Sequence, residues 1–285
     1  MEKIQLTLLF KIIGIGSASG LVYHDNKLYV ISDSSTFLYE YTIADETLNK
    51  IALVENAQEN IPKKEKSDFE SITKKGTDLV ILGSGSTEKR NQLFKYDMVS
   101  KKVTERSFAT LYQKIKSELN IKDAELNIEG LIVTDKTIYF FQRGNGSTSK
   151  NGIIYADDEP ENPTQGAAES SGANFKFLPF ELPKIKNVES TFTDAILVED
   201  KLYFLATAED TNSTYLDGEV LGSLIGCIDF KTMQIEFTQP ISNKHKFEGL
   251  TLYKKSTTEI EFLLCEDNDT EVLESTIYSL KLELK

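Results

Sequence analysis

One short pattern recurs along the chain: an acidic residue, a small residue, then an aliphatic residue that leads into a β-rich run. It reads Glu70-Ser71-Ile72, Glu129-Gly130-Leu131, Asp194-Ala195-Ile196 and Glu248-Gly249-Leu250. Ser19-Gly20-Leu21 is a fifth copy with Ser in the acidic place, and the intervals from Ser19 onward are 51, 59, 65 and 54 residues. If equivalent positions of a repeat converge, Glu70, Glu129, Asp194 and Glu248 crowd four carboxylates together. Such a cluster either takes up protons or binds a cation. Hard oxygen ligands in a roomy ring suit a divalent cation, calcium above magnesium. Capping of neighbouring backbone N–H groups and a direct catalytic role are the alternatives.

A second layer of candidates lies at the ends of the runs that follow: Asp33, Ser84, Arg143, Thr207 and Glu266. Arg143 beside a carboxylate ring would pair with it or hold the anionic group of a ligand in a bidentate grip. Asp33, Arg143 and Glu266 are therefore the ligand-binding candidates, and Asn145, Glu209, Asp210, Asp267, Asn268 and Asp269 add oxygen atoms near one mouth. His245, three residues before Glu248, is a candidate general acid or base, whereas His24 reads as a turn residue. Gly14-Ile15-Gly16 has no third Gly or helix after it, and Gly83-Ser84-Gly85-Ser86 has no Lys, so neither is a nucleotide loop.

The elements that must position these residues repeat in the same order. About eight residues after each copy comes a run rich in Val, Ile, Tyr and Phe: Lys27 to Ser32, Asp78 to Gly83, Thr137 to Gln142, Lys201 to Ala206 and Ile260 to Cys265. Third and fourth runs follow in each unit except the last, which has no fourth. Ile4 to Ile12 precedes the first copy and would complete that last unit. The reading is an all-β, five-bladed β-propeller of one domain. Its blades span about 17–54, 68–108, 127–182, 192–241 and 246–285 with 4–12. A six-bladed ring and an open sandwich are the alternatives. Leu111, Ile115 and Leu119 predict a short amphipathic helix over Ala109 to Asn120. Asp157 to Asn174 reads as a surface loop.

Composition narrows the function class. The 285 residues carry 32 Lys+Arg against 45 Asp+Glu, a formal charge of −13. That balance argues against nucleic acid and against anionic membrane surfaces as partners. Hydrophobic residues at 40% allow a sizeable core. Two cysteines, Cys227 and Cys265, sit in apolar runs and read as buried free thiols. The apolar N-terminus imitates a secretion signal, but Lys11 interrupts it and Glu2 spoils its basic head. A cytoplasmic protein is expected, with a secreted or periplasmic one as the alternative.

Ser19-Gly20-Leu21 followed by Leu28-Tyr29-Val30-Ile31-Ser32-Asp33, with Glu129-Gly130-Leu131 and Glu248-Gly249-Leu250 later, resembles a family of uncharacterised bacterial propeller proteins. More distantly the chain is similar to phytase-like esterase and SdiA-regulated propellers. The resemblance implies a channel calcium on Glu70, Glu129, Asp194 and Glu248. Lactonases and paraoxonases hold calcium in such channels, but the chain lacks their Asn ligands and His pair. Phytases need several bases, of which Arg143 is placed and Lys66 and Lys244 are outlying. The functional expectation is a propeller with an acidic channel that binds a divalent cation and a small ligand. Metal-dependent hydrolysis of phosphoesters or lactones and a protein-interaction scaffold are the alternatives.

Overall fold

A short turn between two β-branched runs produces a hairpin, and the chain repeats that device around a ring. A computed structural model describes residues 3–156, 174–211, 218–267 and 272–284. The first strand, β1 (Ile4–Ile13), stands apart from its neighbours in sequence. Blade 1 is β2 (Ala18–His24), β3 (Lys27–Ser32), β4 (Phe37–Thr42) and β5 (Thr47–Ala52). Its first turn holds Asp25 and Asn26 at φ 48° and 61°, as a two-residue hairpin with right-handed strand twist requires. Blade 2 is β6 (Phe69–Lys75), β7 (Asp78–Gly83), β8 (Gln92–Asp97) and β9 (Lys102–Ser107).

The expected helix follows as α1 (Ala109–Leu119). It buries Leu111, Tyr112 and Ile115, and Asn120 stops it in the left-handed conformation. Blade 3 is β10 (Ile128–Val133), β11 (Ile138–Gln142), β12 (Gly152–Ala156) and β13 (Phe175–Pro179). Blade 4 adds a two-residue strand, β14 (Lys184–Ile185), to β15 (Val188–Val198), β16 (Lys201–Asp210), β17 (Glu219–Asp229) and β18 (Gln234–Ser242). Blade 5 is β19 (Lys246–Lys255), β20 (Glu259–Asp267) and β21 (Glu274–Glu283), and its fourth strand is β1.

Five antiparallel sheets result, so the ring has five blades and not six. β1 runs antiparallel to β21 from Ile4 opposite Leu282 to Ile13 opposite Glu274, with a bulge between Leu8 and Phe10. The first strands of successive blades, β2, β6, β10, β15 and β19, touch one another in a closed circuit. Among the described residues, no helix is long and apolar enough to cross a membrane. Most of the 157–174 loop, and the segment holding Asn268 and Asp269, lie outside the described residues.

Apolar faces of adjacent blades meet in five clusters, one per seam. Val22, Ile31 and Leu38 pack on Phe69, Ile81 and Phe94 between blades 1 and 2. Leu82 and Leu93 meet Phe140, Ile154 and the inner face of α1 between blades 2 and 3. Phe141 and Ile153 meet Phe192 and Phe204, and Leu205 and Ile225 meet Leu250 and Phe262. The closing seam sets Ile12, Leu263 and Cys265 against Leu21, Val30 and Tyr39. Burial of this apolar area on both faces of each sheet is what fixes strand register. Cys227 and Cys265 are free and buried, as expected. Glycine allows the innermost strands to approach: a Cβ on Gly249 would lie 2.5 Å from Cys265 Sγ and 2.6 Å from Leu21 Cδ2.

Candidate acidic channel site

Each innermost strand carries one extra residue relative to its hairpin partner. The register moves between Ala18 and Gly20, Phe69 and Ser71, Ile128 and Gly130, Phe192 and Asp194, and Phe247 and Gly249. The extra residues are Ser19, Glu70, Glu129, Thr193 and Glu248, and all five are buried. A bulge re-aims the side chain it carries, and here it does so once per blade at the same place. Glu129 and Glu248 share one partner, Arg143 Nη1, at 3.3 and 3.6 Å, and the charges of both push the Glu70 pKa up. The two hydroxyl members do a different job. Ser19 donates to the carbonyl of Phe69, and Thr193 donates to that of Phe247 at 2.7 Å. Each ties its strand to the residue before the next glutamate of the ring.

Two of the sequence assignments shift by one residue. Asp194 is not the fourth member of the ring; Thr193 is, and Asp194 occupies the place of the small residue in the other blades. Its carboxylate accepts the N–H of Ala195 and the N–H of Leu250 in the next blade, both at 2.7 Å, which is a capping role. Burial pushes its pKa well above the ordinary value. Glu266 pairs with Phe247, whereas Asp33, Ser84 and Arg143 lie at the positions aligned with Ser17, Asp68 and Asn127. Asp267, opposite Lys246, is therefore the fifth member of that layer. Glu266 turns away to accept from Tyr278 Oη at 2.8 Å and to meet His245 Nδ1. His245 lies against the rings of Phe247 and Tyr278, so it belongs to this packing cluster. The cause of both slips is the same: a strand alternates its faces every residue, so an alignment wrong by one inverts the side chain.

Four bases stand among the acids. Arg143 donates to Glu209 Oε2 at 2.7 Å and to Glu129 Oε1 at 3.3 Å, and its Nη1 lies 3.6 Å from Glu248 Oε1. Lys246 lies 2.9 Å from Glu248 and 3.0 Å from Asp267. Across the channel, Lys66 bridges Asp33 and Asp68, with Asp68 at 2.9 Å. Arg90 donates to Asp68 at 2.7 Å, and Ser84 donates to the same carboxylate. Sequence reasoning missed Asp68, Lys246, Arg90 and Thr193. Asp68 and Lys246 had a signal, since each lies two residues before a ring glutamate. Arg90 sits in an irregular turn and had none.

Electrostatics divides the acids. Burial, reinforced by Asp68, Glu129 and Glu248, raises the Glu70 pKa well above its ordinary value. Burial also raises Glu248, against the pull of Lys246, and Glu129, against the pull of Arg143. Asp33 rises for the same first reason, despite Lys66. For Asp68 burial is outweighed by Lys66 and Arg90, and its pKa falls. Several acceptors remain unused. Glu129 Oε2 and Asp33 Oδ1 are buried without a hydrogen-bond partner, as is the donor Arg143 Nε. Glu70 accepts no hydrogen bond among the described residues. A metal would find one set of oxygen atoms: Asp33, Asp68 and Glu70 offer ligand atoms within 4.8 Å of one another. Lys66 already stands on two of those three carboxylates.

The arrangement can hold positive charge, favour the protonated form of a buried glutamic acid, and grip a carboxylate through Arg143. Comparison with solved structures finds one that shares the fold. Glutaminyl cyclase of Myxococcus xanthus matches with a TM-score of 0.52 over 98% of this chain and 97% of that one, at 10% identity. A Bacteroides fragilis protein matches over 100% of this chain and 96% of that one, with a TM-score of 0.44 and 9% identity. At such identity the first likeness shows the fold alone. No curated protein matches the chain. One family model does, over residues 14–282, which takes in all five blades and the channel glutamates, and the chain belongs to that family of unknown function, DUF6929.

Proposed function

We propose that this propeller binds a small molecule through a cationic ammonium group in its central channel, with Glu70, Glu129 and Glu248 as the receptor. What carries the reading is the surplus of buried acceptors. Among the described residues, Glu129 Oε2 is buried without a hydrogen-bond partner, Glu129 being 3% exposed, and Asp33 Oδ1 is a second such oxygen nearby. A buried polar atom left unpaired costs about 1–3 kcal/mol, more when charged, and an ammonium brings three donors and the missing positive charge.

A divalent cation such as calcium on Asp33, Asp68 and Glu70 is the second reading, favoured by the close approach of their oxygen atoms. It requires Lys66 to leave Asp33 and Asp68, which makes it the weaker of the two. Hydrolysis of phosphoesters has less support still. Lys66, Arg90, Arg143 and Lys246 each lie against carboxylates instead of facing an open anion site.

Thermal melts with methylammonium chloride and with calcium chloride, against sodium chloride of equal ionic strength, test the reading. Saturating ligand at about 100 times Kd stabilises by about 2.7 kcal/mol, or roughly 5 °C or more for a chain of this size. The expected result is a methylammonium shift that Glu129→Gln abolishes. It should also weaken as pH falls, because Glu70, Glu129 and Glu248, with raised pKa values, take up protons before ordinary carboxylates do. A calcium shift lost in Asp33→Asn would establish the second reading instead. No shift with either cation would end both.

A further inference from the structure

Arg143 uses its donors unevenly. Nη1 serves Glu129 and Glu248, and Nη2 donates to Glu209 Oε2 at 2.7 Å. Nε shares an edge of the guanidinium with Nη2, and it has no partner although Arg143 is 3% exposed. A carboxylate normally takes such an edge with both oxygen atoms. Glu209 does not, because its Oε1 accepts the N–H of Gly218 at 2.8 Å.

Glu209 also comes from outside the repeat. It lies near the end of β16, which continues to Asp210 beyond Thr207, the position at which β20 of blade 5 ends with Asp267, and the register shifts between Ala208 and Glu209. Directly beside it is a cleft of about 310 Å³ between blades 3 and 4, lined by Gly144, Asn145, Thr191, Glu209 and Thr211 among others. The cleft is lined by Glu209 and by Gly144 and Asn145, the two residues that follow Arg143 in the chain. The swap of one carboxylate for another leaves the local charge unchanged, so the buried arginine never loses its counter-ion.

We propose that the Nε–Nη2 edge of Arg143 is a carboxylate subsite, held by Glu209 until a ligand entering from the blade 3–4 cleft takes its place. The inference rests on the ammonium reading for the other half of the ligand. Arg143 Nη1 and Glu129 Oε1 are 3.3 Å apart, so the free donor Nε and the free acceptor Glu129 Oε2 belong to adjoining groups. A ligand that satisfies both carries an ammonium and a carboxylate close together, which is the chemistry of a free amino acid.

Calorimetric titration with glycine, sodium acetate and methylammonium chloride at equal ionic strength separates the two halves. Glycine should bind about tenfold or more tightly than methylammonium, the gain expected of charged hydrogen bonds to Arg143. Glu209→Gln weakens the resident competitor, so acetate and glycine should bind more tightly in that variant while methylammonium does not. Arg143→Gln should erase the advantage of glycine. If that variant does not fold, the Glu209→Gln series decides alone. Methylammonium binding with no advantage for glycine, and no gain in Glu209→Gln, overturns the carboxylate subsite and leaves the ammonium reading standing. Acetate binding in Glu209→Gln without any methylammonium binding does the reverse.

Discussion

Arg143 joins carboxylates from three blades, and its loss would leave Glu129, Glu209 and Glu248 without a shared counter-ion. Removing one partner of a buried pair costs about 3–5 kcal/mol, so Arg143→Met should destabilise by about that much at pH 7. The penalty should shrink at pH 5. Glu129 and Glu248 have folded pKa values above the ordinary 4.5, so the folded protein holds protons there that the unfolded chain gives up. Stability from such groups is present below about 4.5 and declines as pH rises through the elevated values. Asp68, whose pKa is lowered, works the other way: its contribution is present above 3.8 and is lost in acid. Urea unfolding of Arg143→Met at the two pH values checks the sign. A penalty equal at both would contradict the assignment of Arg143 as counter-ion to the glutamates. Of this network, Glu70, Glu129, Glu248, Arg143 and Asp33 are legible in the sequence, because a repeat marks equivalent positions by residue type. Asp194 and Glu266 mislead because Asp194 mimics the repeat from the next position and Glu266 has an acidic neighbour, Asp267, in the true place.

The innermost strand is the element that turns a repeat into a site. Its bulge sets one buried residue per blade outside the hairpin pairing, a glutamate in blades 2, 3 and 5, and a Cβ on the glycine after it in blades 1, 3 and 5 would meet the neighbouring blade. Periodicity reports strands but not bulges, which is why the fourth blade was open to misalignment by one. The two positions now make opposite predictions. Asp194→Ala removes the acceptor for the N–H groups of Ala195 and Leu250, and should cost about 1–3 kcal/mol without changing methylammonium affinity. A channel ligand role for Asp194 would instead show as lost affinity, read by the same titration. Overpacking at the adjacent Gly249 belongs to this scale as well. Gly249→Ala should destabilise by about 1–3 kcal/mol, because the new methyl group meets Cys265 and Leu21 across the closing seam.

At the scale of the molecule, β1 converts an open array of sheets into a ring. Five units, their strand order and this closure are readable from the chain because each unit repeats the same order of apolar runs and turns, and because Ile4 to Ile12 has no other partner. The length of blade 4 is not readable: β16 continues to Asp210, beyond the position at which β20 of blade 5 ends, and it is this extension that brings Glu209 to Arg143. Removal of residues 1–13 would expose the outer edge of β21 and uncover the seam that Ile12 fills. The truncated protein should melt well below the full chain and aggregate, by light scattering. A truncation that melts like the full chain would show that closure contributes little. The most direct measurement of all is electron density from a crystal equilibrated with methylammonium. Density for one cation within hydrogen-bonding distance of Glu129 Oε2, between Glu70 and Glu248, is the predicted result. Three glutamates diverging into separate solvent, or methylammonium bound only at the outer surface of the blades, would contradict it.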